Sequence, residues 1–152
     1  MTDRGWMAVR TVLTVIVAAG LAIDAYVHLD LASTYDVVKT STLSQGDLFR
    51  VEAALAIVAG VALLVRPRRY TAWFAFLVSA GGVAAVLVYR WVDVGKLGPL
   101  PNMYEPYWYG EKTLSLVAEA IAAVAAAILL VLMYMRARAV AKPAVANAPS
   151  AV

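Results

Sequence analysis

Four apolar stretches, at residues 8–29, 48–65, 70–92 and 113–135, limit what this chain can become. Each holds about 20 residues, the length a helix needs to cross about 30 Å of hydrocarbon. Buried helices of a soluble protein would show a polar face with a 3.6-residue period, and these stretches mostly do not. They are also Ala- and Leu-rich and far longer than ordinary strands. Composition agrees: 63% of the 152 residues are hydrophobic and 15% charged, against about 45–50% and about 25% in soluble domains. The sequence predicts an all-α, four-helix transmembrane bundle, up-down-up-down, in one domain over residues 1–136.

Charge placement predicts the orientation. Lys and Arg collect in short cytoplasmic segments. Arg4 and Arg10 flank the start of the first stretch, Arg66, Arg68 and Arg69 fill the turn between the second and third, and Arg136, Arg138 and Lys142 follow the fourth. The acids Asp30, Asp36, Asp47, Asp93, Glu105 and Glu111 lie in the other connections. Both termini are therefore expected in the cytoplasm, in a multi-pass protein of the cell membrane. The first stretch reads as a span rather than a cleaved signal, because it is long and Asp24 and His28 follow where a cleavage region would lie. Pro67 ends the second helix, and Ser44 with Asp47 three residues on marks its start as a capping pair. Residues 137–152 lack periodicity and read as a disordered cytoplasmic tail.

Small residues let helices approach closely in lipid. Ala118, Ala122 and Ala126, flanked by Ala123 and Ala127, together with Ser79–Gly82, Ala56 and Gly60, predict close contacts. These serve either packing within the chain or a homodimer face.

Charges within spans carry the functional signal, since each costs about 2.5–3.5 kcal/mol near mid-helix. Asp24 lies six residues before Asp30, about 9 Å along a helix; Glu52 lies eight after Ser44 and Glu119 eight after Glu111, each about 12 Å. The three carboxylates are thus expected at one level. His28 sits one turn from Asp24 on the same face. Arg50, Tyr89 and Arg90 lie near the same boundary, and the long arginines are expected to reach the acids or the surface. With Arg50 and Arg90 counted against Asp24, Glu52 and Glu119, one negative charge is left over. Two readings remain open: a buried ion-pair network that fixes helix register, or an outward-facing ligand site, with Asp24, His28, Glu52 and Glu119 as candidate metal ligands.

The segment at residues 93–111 contains Pro99, Pro101 and Pro106, which restrict it, and Tyr104, Tyr107, Trp108 and Tyr109, which suit a membrane interface. It is either an aromatic belt or a lid, in which Glu105, Tyr107 and Trp108 close over the cluster and Glu105 or Tyr107 meets Arg50 or Arg90.

Other chemistries find no support. The chain has no cysteine and one histidine, which removes disulfides, Fe–S clusters, thiol redox catalysis and bis-histidine haem within one chain. Haem through His28 with Met103 or a partner chain is the remaining haem ligation. No phosphate loop, HExxH, GxSxG or CxxC occurs, and the sequence requires no cofactor. The span residues nearest the basic turns lack ionisable groups, which argues against an ion pathway. The basic turn suits anionic lipid rather than nucleic acid.

The strings Asp24-Ala-Tyr-Val-His28-Leu, Ser44-Gln-Gly-Asp-Leu-Phe-Arg50-Val-Glu52-Ala and Tyr89-Arg90-Trp-Val-Asp93, with Gly98-Pro-Leu-Pro-Asn-Met-Tyr-Glu105 and Glu111-Lys-Thr, resemble a family of small four-helix integral membrane proteins of actinobacteria. The likeness covers roughly residues 6–135 and implies the topology without an activity. The architecture is also similar to DoxX-type proteins, which implies association with quinone-linked redox complexes. Together these readings lead to a non-enzymatic accessory or binding subunit with an outward polar pocket. Its expected partners are the bilayer and a membrane protein or second copy, and the alternatives are a metal or small-ligand binder or a quinone-associated component.

Overall fold

The computed structural model describes residues 2–146. Its long helices are α1 (Asp3–Ala32), α2 (Gln45–Val65), α3 (Arg69–Trp91) and α4 (Gly110–Ala146), with a short 3₁₀ turn at Thr34–Val37 between the first two. All four are long and apolar enough to cross a membrane. Among the described residues there is no strand beyond two isolated bridges, Lys39 with Ser44 and Leu97 with Leu100.

α1, α2 and α4 outrun their apolar stretches, whereas α3 matches its own to within one residue at each end. Thr2 caps α1 by accepting from the Gly5 amide at 3.2 Å. Ser44 and Asp47 form the expected capping box: the Asp47 amide donates to Ser44 Oγ at 2.9 Å and the Ser44 amide to Asp47 Oδ2 at 3.0 Å. This adds a polar turn to the shortest span and satisfies amides that lack helical partners. The turn at Arg66–Arg68 is closed by Thr71, whose hydroxyl donates to the Arg66 carbonyl at 2.7 Å and accepts from the Arg68 amide at 3.0 Å. The tail departs from expectation. Residues 137–146 continue α4 instead of being disordered, as alanines following an established helix favour. Residues 147–152 of that expected tail lie outside the described residues.

The helices form a ring in which α1 packs on α2 and α4, and α3 on α4, while α2 and α3 are the loosest of the adjacent pairs. Small residues dominate the interior, where Ala53, Ala56, Ala59, Ala72, Ala75, Ala122 and Ala126 are buried around the larger Leu21, Leu63 and Leu129. Large side chains such as Val12, Val58, Leu77, Ile121 and Val131 point outward and are exposed. A soluble bundle would reverse this arrangement, whereas hydrocarbon rewards close backbone contact inside and apolar bulk outside. At Gly20 an added Cβ would stand 2.7 Å from the Ala118 carbonyl and 3.0 Å from Ala122 Cβ. The Ala118–Ala122–Ala126 stripe is therefore spent on packing against α1, which covers that face within the chain.

The basic residues mark one end of the bundle. There Arg136 pairs with Asp3 and stands over Trp6 at 5.3 Å, and Arg69 stands over Tyr134 at 4.9 Å. We call this the turn end. The opposite, loop end carries the connection between α1 and α2 and the segment between α3 and α4.

Candidate functional site

The buried acids gather beneath the loop end. Asp24 of α1 and Glu119 of α4 are both 0% exposed. Asp24 Oδ1 accepts from Ser115 Oγ at 2.7 Å and lies 2.9 Å from His28 Nδ1. That same nitrogen stands 3.1 Å from the Asp24 carbonyl, as the one-turn spacing of the two residues dictates. Among the described residues no donor group serves Asp24 Oδ2 or either oxygen of Glu119, and the two carboxyls are close enough to share a proton. One donor atom each from Asp24, His28 and Glu119 lies within 4.8 Å of the others. Glu52 of α2 is half-buried, and its Oε1 is likewise without a partner.

Gly82 on α3 makes room for this arrangement. A Cβ there would occupy the space of the Glu119 carboxylate. The neighbouring Gly81 differs, because a Cβ on it meets nothing within 4 Å.

A cavity of about 240 Å³ adjoins the acids, and His28, Glu52, Tyr89 and Glu119 all line it. Leu48 and Phe49 of α2 and Val86 of α3 supply apolar wall, and Met103, Glu105 and Tyr109 form the loop-end roof. Gly81 and Ala85 line the cavity yet are exposed, so its mouth opens in the loose seam between α2 and α3. Ala85 lies about 9 Å, and Gly81 about 15 Å, along α3 from Trp91 at the helix end.

The two arginines depart from the predicted cluster. Arg50 points up and out, donating to Asp36 Oδ1 and Oδ2 at 2.8 Å each and to Asp47 Oδ1 at 3.3 Å. The Arg50 guanidinium beside it holds the Asp36 carboxyl below its ordinary range. Arg90 lies over Trp91 at 4.5 Å and Trp108 at 5.6 Å, and among the described residues no carboxylate pairs with it. Cation–π contact, not a salt bridge, holds it. The expected balance of two arginines against three acids therefore fails: among the described residues the one basic side chain paired with Asp24, Glu52 or Glu119 is His28, while Lys112 lines the same cavity from the loop end.

The lid is also redrawn. Glu105 lines the cavity as expected, but its partners are Tyr35, whose hydroxyl donates to Oε2 at 3.5 Å, and the Tyr89 carbonyl, which accepts from its amide at 3.0 Å. It meets neither Arg50 nor Arg90. Tyr107 and Trp108 are 75% and 44% exposed and do not line the cavity. Tyr109 takes the place expected of them. Its hydroxyl lies 2.8 Å from that of Tyr35, and burial pushes both phenols above their ordinary range. Lys112, only 8% exposed, donates to the Glu105 carbonyl at 2.5 Å and the Tyr107 carbonyl at 3.3 Å. Thr40 Oγ1 donates to the Pro99 carbonyl at 2.8 Å, and Asn102 Nδ2 to Asp93 Oδ1 at 2.8 Å. These bonds tie the two connections into one cover.

Sequence reasoning missed Tyr35 and Lys112, and read Tyr109 as an interface aromatic and Gly82 as a packing residue without giving either a place at the site. Tyr35 and Tyr109 lie in connections without periodicity, Lys112 lies in the polar first turn of α4, and Gly82 matters through a residue on another helix. The arrangement can hold a polar or cationic group at its floor and an apolar body along its walls. Compared with protein-family models, curated proteins and solved structures, the chain finds no match.

Proposed function

We propose that this protein is a multi-pass protein of the cell membrane, up-down in topology, with both termini cytoplasmic and the loop end outward. In this reading it binds a small ligand from the outer half of the bilayer, as an accessory subunit without chemistry of its own. The observation that carries the reading is the row of partnerless carboxylate oxygens on Asp24, Glu52 and Glu119 beside an open cavity. Buried polar atoms normally find partners, and a bound ligand supplies them here.

The mouth supports entry from the bilayer. At the depths of Gly81 and Ala85, a seam between two spans faces hydrocarbon rather than water, so an amphiphile reaches the cavity sideways. The volume of about 240 Å³ lies just under the about 300–1,000 Å³ of drug-sized sites, which suits a compact head group. A nucleophile–base pair is not favoured, because Ser115 donates to Asp24 rather than serving His28.

Mass spectrometry of organic extracts from the detergent-purified protein tests this, with Ala85→Phe narrowing the mouth. One compound near equimolar with the chain, and lost in the variant, is the expected result. If that compound is a quinone, the quinone-associated reading gains. An empty extract, or the same bulk phospholipids from both proteins, would refute the proposal.

A further inference from the structure

We propose that Asp24, His28 and Glu119 bind one divalent first-row transition-metal ion at the floor of the cavity. This goes beyond the cavity reading, since it concerns a fixed ion rather than the molecule that enters beside it.

The donors converge without help from a rearranged backbone. Their nearest donor atoms lie within 4.8 Å of one another, and donors around a tetrahedral ion stand about 3.4 Å apart. Small side-chain rotations close that difference. Glu119 is wholly buried with both oxygens unpartnered, and Asp24 Oδ2 is unpartnered too. Asp24 Oδ1 already accepts from Ser115 Oγ at 2.7 Å, which orients the carboxylate and leaves Oδ2 free, while His28 Nδ1, 2.9 Å from Oδ1, exchanges that contact for the ion. Such supporting hydrogen bonds are the usual companions of metal ligands.

Charge argues the same way. With Arg50 and Arg90 engaged elsewhere, no guanidinium offsets the buried acids. Two carboxylates and a neutral imidazole around a dication form a neutral site, the form least penalised at membrane depth. Mixed carboxylate and imidazole donors without thiolate suit zinc, manganese, iron or cobalt rather than Cu(I). Three protein donors leave a coordination position open. Glu52, with its partnerless Oε1, and the cavity lie on the side where such a position would be used. Gly82 completes the site by leaving the Glu119 carboxylate its place against α3.

Cobalt is a direct probe because its d–d absorption reports coordination. The full chain, purified without a polyhistidine tag and stripped with EDTA, is titrated with CoCl2 in detergent. Expected are visible bands that saturate at one Co²⁺ per chain and are displaced by zinc. Both should vanish in Glu119→Gln and His28→Ala. Ser115→Ala, which keeps every ligand, should weaken binding about 10–100-fold. Ala85→Phe should retain the bands while losing any organic ligand, so the two proposals fail separately. Melting curves without metal establish that each variant is folded. Should Glu119→Gln not fold, His28→Ala and Ser115→Ala decide. A folded parent that binds no cobalt, as when Asp24 and Glu119 merely share a proton, would overturn the proposal. So would binding that the variants leave unchanged.

Discussion

Gly82→Ala and Gly81→Ala are the same chemical change at adjacent positions of α3, yet they should have opposite consequences. At Gly82 the new methyl enters the space of the wholly buried Glu119 carboxylate, whereas at Gly81 it meets nothing. Overpacking of this kind costs about 1–3 kcal/mol. Both variants share a gain of up to about 1 kcal/mol in helix propensity, so that gain cancels in their difference. What remains is the collision itself. At about 2–4 °C per kcal/mol for a chain of this size, Gly82→Ala should melt about 2–12 °C below Gly81→Ala. Intrinsic-tryptophan melting in detergent reads this directly, and a Co²⁺ titration of the same samples should show weaker binding for Gly82→Ala alone. Equal melting temperatures would mean that Glu119 does not lie against Gly82, and the inward-facing cluster would lose its geometric basis.

Two further predictions concern the loop end. Cysteines replacing Asp36 and Asn102 should react with a membrane-impermeant maleimide in intact cells, and one replacing Arg68 should not; labelling of the last alone would invert the proposed orientation. Tyr35 and Tyr109, half-buried and 2.8 Å apart, should ionise above the ordinary tyrosine value of 10.0. The folded state then favours their neutral forms, so their contribution to stability is complete below that value and is lost as pH rises past it. Ultraviolet titration should show a late phase that Tyr109→Phe removes, and a single step for all tyrosines would contradict the packed cover.

The spans were legible because hydropathy and length carry them, and Ser44 with Asp47 announced the start of α2 through chemistry local to four residues. The common depth of Asp24, Glu52 and Glu119 followed from helical rise alone, and the structure brings Asp24 and Glu119 together with His28. Arg50 takes the surface course of the two left open to it, for a physical reason. It lies early in α2, and its long side chain reaches a 3₁₀ turn holding Asp36, whose position no periodicity encodes. Arg90 chose indole faces over carboxylates, a preference that depends on where Trp108 lands. Composition left Tyr107 and Trp108 as either belt or lid residues, and the path of a proline-rich segment decided that Tyr109 turns inward instead. Residues 137–146 looked disordered because they lack a hydrophobic period, although their alanines extend a helix that already exists.

The most direct test of the account is an experimental density map of the protein purified natively, without added chelator, at a resolution that shows side chains. The account predicts Asp24, His28 and Glu119 converging under Gly82, with non-protein density contiguous with them and reaching toward the seam of α2 and α3. A floor filled by neighbouring side chains, with the Glu119 carboxylate turned out of the bundle, would contradict it.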